Sequence, residues 1–120
     1  MWIYDNIKRE DFLAKIHLAE TIIEKSGAFL SGERQEKNSQ INGNGITIES
    51  RNATKKIWNY KNQFICVDEL LFREKPFIVL EFSDRPEGPY EDADPFPYDL
   101  SEEKMIQEIK TALKGGTHGN

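Results

Sequence analysis

Residues 55–67 read Lys55-Lys56-Ile57-Trp58-Asn59-Tyr60-Lys61-Asn62-Gln63-Phe64-Ile65-Cys66-Val67, and this stretch decides the fold. Two runs rich in β-branched and aromatic residues lie on either side of Lys61-Asn62, the pattern of paired strands around a turn. Downstream, Phe77 to Phe82 is again rich in β-formers. Phe64-Ile65-Cys66-Val67 and Phe77-Ile78-Val79-Leu80 are apolar at both alternating positions, as in central strands covered on each face. Upstream, Asn42-Gly43-Asn44-Gly45 supplies two Asn-Gly pairs suited to the positive φ of a hairpin, and Ile46-Thr47-Ile48-Glu49 alternates as a half-buried strand does. An antiparallel sheet of three to five strands is expected over about residues 32 to 83.

Helices flank it. From Lys8 to Ser26, Phe12, Leu13, Ile16, Ala19, Ile22 and Ile23 follow a 3.6-residue period, with Asp5 or Asn6 as expected cap and Gly27 as terminator. Trp2-Ile3-Tyr4 reads equally as a short edge strand or as an apolar plug leading into that helix. At the other end Ser101 caps a second helix, Glu102 and Glu103 suit its first turn, and Met105, Ile106, Ile109, Ala112 and Leu113 form one stripe ended by Gly115. The expected architecture is α+β: a single domain over residues 1 to 114 and a tail over 115 to 120.

The chain has 120 residues, a net charge of −5 and thirteen aromatics, seven Phe, four Tyr and two Trp, enough for one hydrophobic core. One cysteine, Cys66, provides for neither an internal disulfide nor a multi-thiolate metal site. The Met1-Trp2-Ile3-Tyr4-Asp5 start lacks the pattern of a signal peptide, and no run approaches the ~20 apolar residues that span a bilayer, so a soluble cytoplasmic protein is expected. The charge is unevenly spread. Between Glu81 and Glu103 nine acids face one base, Arg85, a local net of −8. The rest of the chain therefore carries about +3, including Arg51, Lys55, Lys56 and Lys61 around Trp58 and Tyr60.

Little in the sequence points to catalysis. P-loop, G-x-G-x-x-G, H-E-x-x-H, G-x-S-x-G and C-x-x-C patterns are all absent, and no cofactor is implied. His17 falls on the polar side of the first helix and His118 in the tail. Cys66 sits within an apolar run, where a core role outweighs nucleophilic chemistry. Glu102-x-Lys104 and Glu108-x-Lys110 have a nuclease-like spacing but fall on a helix rather than a strand. The Lys56, Trp58 and Tyr60 face is either a stacking platform for single-stranded nucleic acid or, as the nearby acidity favours, a half-buried Trp with solvated lysines; docking of the acidic segment within the chain is a further alternative.

The segment from Ser83 to Leu100 holds four of the five prolines, Pro86, Pro89, Pro95 and Pro97, and is expected to be a long tethered loop without regular structure. Its bland reading packs Tyr90, Phe96 and Tyr98 on the sheet with the carboxylates in water. A second makes Glu87, Tyr90, Glu91, Asp92, Asp94, Phe96, Tyr98 and Asp99 a face for a basic protein. A third lets Asp92 and Asp94, with Glu91 or Asp99, hold Ca²⁺ or Mg²⁺, although an EF-hand's Gly and final Glu are missing. The expected function is a non-catalytic binding protein of immunity or antitoxin type, neutralising a basic partner such as a nuclease toxin. A phage-encoded inhibitor of a host defence protein leaves the same traces, and a small metal-dependent enzyme or metal-binding regulator at Asp92 and Asp94 is the alternative from another class.

Overall fold

The computed structural model describes residues 2, 4–37, 42–43, 46–47, 52–72 and 74–115. It is an α+β chain: α1 (Arg9–Lys25), then strands β1 (Phe29–Lys37), β2 (Asn42–Gly43), β3 (Ile46–Thr47), β4 (Asn52–Tyr60), β5 (Gln63–Phe72), β6 (Pro76–Ser83), β7 (Glu91–Asp92) and β8 (Phe96–Pro97), then α2 (Glu102–Gly115). Every strand pairing is antiparallel. Four long strands, β1, β4, β5 and β6, make the frame; the two-residue strands β2 and β3 lie within the expected span of residues 32 to 83, and β7 and β8 extend the sheet beyond it.

β5 is the central strand. One edge pairs with β6 along its length; the other is shared, β4 taking Gln63 to Ile65 and β3 taking Leu71 and Phe72. The β4–β5 reversal falls at Lys61 and Asn62, both at positive φ (49° and 68°), as a two-residue hairpin matched to strand twist requires. β2 and β3 pair as the Asn-Gly repeat implied, while residues 44, 45 and 48 to 50 lie outside the described ones, as do Arg51 and the 116–120 tail with His118.

α1 and α2 cover one face of the sheet. Phe12, Ala19, Ile22 and Ile23 from α1 meet Met105, Ile109 and Leu113 from α2 over Trp58, Ile65, Ile78, Leu80 and Phe82. The four-residue spacing in α2 puts its three buried side chains on one stripe. Ser101 caps α2 through its Oγ, which accepts from the Lys104 amide at 3.3 Å. The cap of α1 differs from expectation: the N-cap is Lys8, without a side-chain bond, so neither Asp5 nor Asn6 serves. Gly27, at φ +112°, ends that helix as expected. Trp2 and Tyr4 are outside any strand; the Trp2 ring lies 5.7 Å from Phe12, and the Tyr4 hydroxyl donates to the Phe72 carbonyl. Among the described residues no helix is long and apolar enough to cross a membrane.

The proline-rich segment corrects the expectation of a loop without regular structure. Residues 91–97 run back along the free edge of β6, with Glu81 opposite Asp92 and Ile78 opposite Phe96. Amide bonds from Ala93 to the Leu80 carbonyl (2.8 Å) and from Tyr98 to the Pro76 carbonyl (3.2 Å) pin its ends. Pro95 and Pro97 have no N–H to donate, so pairing breaks into two short ladders and the new edge offers a poor template for another strand.

Candidate functional site

The two faces of the sheet carry different chemistry. Alternation sends Ile65, Ile78 and Leu80 toward the helices and sends Cys66, Asp68 and Glu81 to the other side, where Arg34 and Lys55 stand opposite each other on β1 and β4. There Arg34 Nη2 donates to Glu81 Oε1 at 3.2 Å, and Lys55 Nζ lies 3.8 Å from the same oxygen. Lys55, only 8% exposed, also donates to Asp68. Among the described residues two cations and two anions thus meet in this cluster, the arrangement in which burial of charge is tolerated.

Tyr90 is the lid of that cluster. The Arg34 guanidinium stacks 4.2 Å from its ring centroid, and its hydroxyl donates to the Pro86 carbonyl at 2.8 Å. Gly88, at φ +91°, makes the close approach possible, since a Cβ there would meet Tyr90 Cδ1 at 3.0 Å. Beneath lies Cys66, fully buried, its thiol accepting from Arg34 Nε at 3.4 Å. Burial pushes the thiol pKa up more than Arg34 lowers it, so the thiolate needed for nucleophilic attack is disfavoured. Burial likewise raises the Tyr90 phenol, helped by Cys66 beside it.

The acidic segment therefore separates its residues into two groups. Phe96 is 3% exposed and part of the core, and Tyr98 packs edge-on against Phe12 at 6.2 Å, so these two rings face the helices. Tyr90 is half-buried on the opposite face. Glu87, Glu91, Asp92, Asp94 and Asp99 remain exposed, Asp99 with Lys75 Nζ 3.3 Å away. The side chains thus follow the first reading of this segment, with the rings clamping a strap to the sheet and the carboxylates forming a row on its outside. Among the described residues no three His, Cys, Asp or Glu side chains are grouped to hold a metal ion, so Asp92 and Asp94 have no third ligand there.

Other candidates are placed as simply. Trp58 is 2% exposed, its indole donating to Glu24 at 3.0 Å, so it is closed to stacking with a base. His17 pairs with Glu20 on the α1 surface at 3.1 Å. Glu102, Lys104, Glu108 and Lys110 are exposed on α2. Sequence reasoning missed the Arg34, Lys55, Asp68 and Glu81 cluster, because cross-strand register brings its members together from four strands. The one available signal was the lone Glu81 inside an otherwise apolar run. No family model matches the chain, and no curated protein and no solved structure matches it either.

Proposed function

We propose that the chain is a non-catalytic binding protein of the immunity or antitoxin kind, working in the cytoplasm, which covers a basic protein, such as a nuclease toxin, with the carboxylates of the 84–99 strap. One observation carries this reading: Glu87, Glu91 and Asp94 are exposed on a backbone already fixed by the β6 ladders, the Arg34–Tyr90 stack and the buried Phe96. Charges held in place beforehand lose little conformational freedom on binding, and a concentrated negative field draws in a basic partner. Tyr90 contributes by holding the strap, and Phe96 and Tyr98 by anchoring it from within.

The test compares two triple variants as bait for basic proteins from the native source. Glu87→Ala, Glu91→Ala and Asp94→Ala together should slow association with the captured partner by about tenfold or more at low salt and leave the melting temperature nearly unchanged. Glu10→Ala, Glu33→Ala and Glu108→Ala, exposed acids elsewhere, remove the same charge. Equal losses from both sets would reduce the effect to net charge and sink the proposed surface.

A further inference from the structure

Where α1 and α2 lie side by side above the β4–β5 turn they leave a groove of about 940 Å³. Its floor is apolar, from Leu18, Ile22, Tyr60, Ile106 and Leu113. Its rim carries Lys25, Lys61, Lys110 and Lys114 against a single acid, Glu102. In a chain of net charge −5 this is a concentration of the opposite sign. Among the described residues none of the four lysines forms an ion pair.

Helix electrostatics explain only part of that rim. Lys25 and Lys114 occupy the last turns of their helices, where a cation offsets the negative end of the dipole. Lys110 lies further back. Lys61 holds φ 49° at a turn position where Asn or Gly is the usual residue, so turn chemistry does not select it either. Both stand on the groove.

We propose that this groove docks an acidic amphipathic helix from a partner protein, its apolar side chains at i, i+3 or i+4 and i+7 on the floor and its carboxylates against the lysines. A trough between two helices suits a third helix by shape, and apolar anchors flanked by complementary charge are how such grooves recognise one. A nucleic acid fits less well, because the floor is aliphatic apart from Tyr60, over whose ring Lys61 Nζ already sits at 5.3 Å. A fatty acid would set one carboxylate against four dispersed cations in a site open to water, whereas small ligands are usually mostly enclosed. The groove and the acidic strap share no residue, so this surface stands apart from the one proposed above.

The experiment titrates the full chain into a labelled model helix of roughly five turns, with leucines at the anchoring spacing and glutamates elsewhere, and reads anisotropy. Saturable binding is expected, weakened at least about tenfold by Lys25→Gln, Lys61→Asn and Lys110→Gln together, and similarly when the peptide's glutamates become glutamines. Ile106→Ser, on the floor, should weaken it too. The melting temperatures of these surface variants show whether the fold is kept, and an affinity compared only between folded proteins is the readout. Equal affinity for a peptide of the same composition with scrambled leucine spacing would overturn the proposal, as would unchanged binding by the lysine variant. Oleate or oligo-dT binding more tightly than the peptide, and losing affinity in the same variant, would reassign the groove to a lipid or a nucleic acid. The Glu87→Ala, Glu91→Ala and Asp94→Ala chain should bind the peptide within about twofold of the original, so failure of the strap reading leaves this result standing.

Discussion

β5 and β6 bury side chains on both faces, yet the two faces are closed by different means. Toward the helices, Ile65, Ile78, Leu80 and Phe82 lie in an apolar layer under α1 and α2. Away from them, Cys66, Asp68 and Glu81 lie with Arg34 and Lys55, and the Tyr90 ring of the strap covers Arg34. Apolar burial is roughly proportional to area and forgiving of detail, whereas buried charge is tolerable only while each member keeps its partners. The first face supplies stability; the second trades some of it for a fixed surface on which carboxylates can be shown.

The largest expected effect probes the helix face. Ile109 is fully buried in the α2 stripe, and Ile109→Ala should lower unfolding free energy by about 2–5 kcal/mol through lost transfer energy and a cavity. Denaturant midpoints at constant slope measure it, and a change under about 0.5 kcal/mol would mean α2 is not packed there. On the strap face, Glu81→Gln takes a charge-assisted partner from Arg34 and Lys55 while keeping the volume, at a cost of about 1–3 kcal/mol. A loss exceeding that of Ile109→Ala would reverse the ranking of the two faces.

Alkaline pH separates the faces in another way. For an acid whose folded pKa is raised, the native chain keeps its proton where the unfolded chain has lost it, so stability falls as pH climbs through that window. Burial raises Tyr4, on the helix side, from 10.0 to about 12. Burial also raises Cys66 and Tyr90 on the strap side. Stability should therefore decline from about pH 9, where the unfolded Cys66 thiol begins to ionise, and further between pH 10 and about 12, and Tyr4→Phe should flatten the upper part of the decline. Midpoints taken across that range for Tyr4→Phe and Tyr90→Phe tell which face dominates; curves as steep as the original for both would remove these hydroxyls from the account.

The helix face was legible because its signal is local. Met105, Ile109 and Leu113 show their stripe in adjacent turns, and Lys61-Asn62 marks its reversal directly. The strap face was legible only in composition. Nothing near Arg34 announces that β1 lies beside β4 in the register that brings it to Lys55, nor that Glu81 faces Cys66 across β5 and β6. Those meetings depend on pairing between distant segments, which periodicity does not encode. The prolines misled for a related reason: they do prevent a continuous strand, but residues between them can still pair two at a time. Phe96 and Tyr98 looked interchangeable with Tyr90, and only the path of the strap along β6 decides which face each ring meets.

The smallest expected effect on stability is the sharpest test of what the strap face is for. Lys75 and Asp99 pair at 3.3 Å with side chains 37% and 49% exposed, and such pairs contribute about 0.2–1 kcal/mol. Lys75→Gln should thus shift the denaturant midpoint by little, about 0.5 kcal/mol at most. Its effect on the field is larger in proportion, because it removes a cation beside Asp99 and makes the carboxylate row more negative by one charge. If that row steers a basic partner, association should quicken at low ionic strength and the gain should vanish near 1 M salt, where the Debye length is ~3 Å. Dissociation should barely change, since the substitution adds no contact. An unaltered association rate at low salt would place the encounter away from the Asp99 end of the strap. A stability loss well above 1 kcal/mol would show instead that the pair fastens the strap, so that its display and its attachment depend on the same residues.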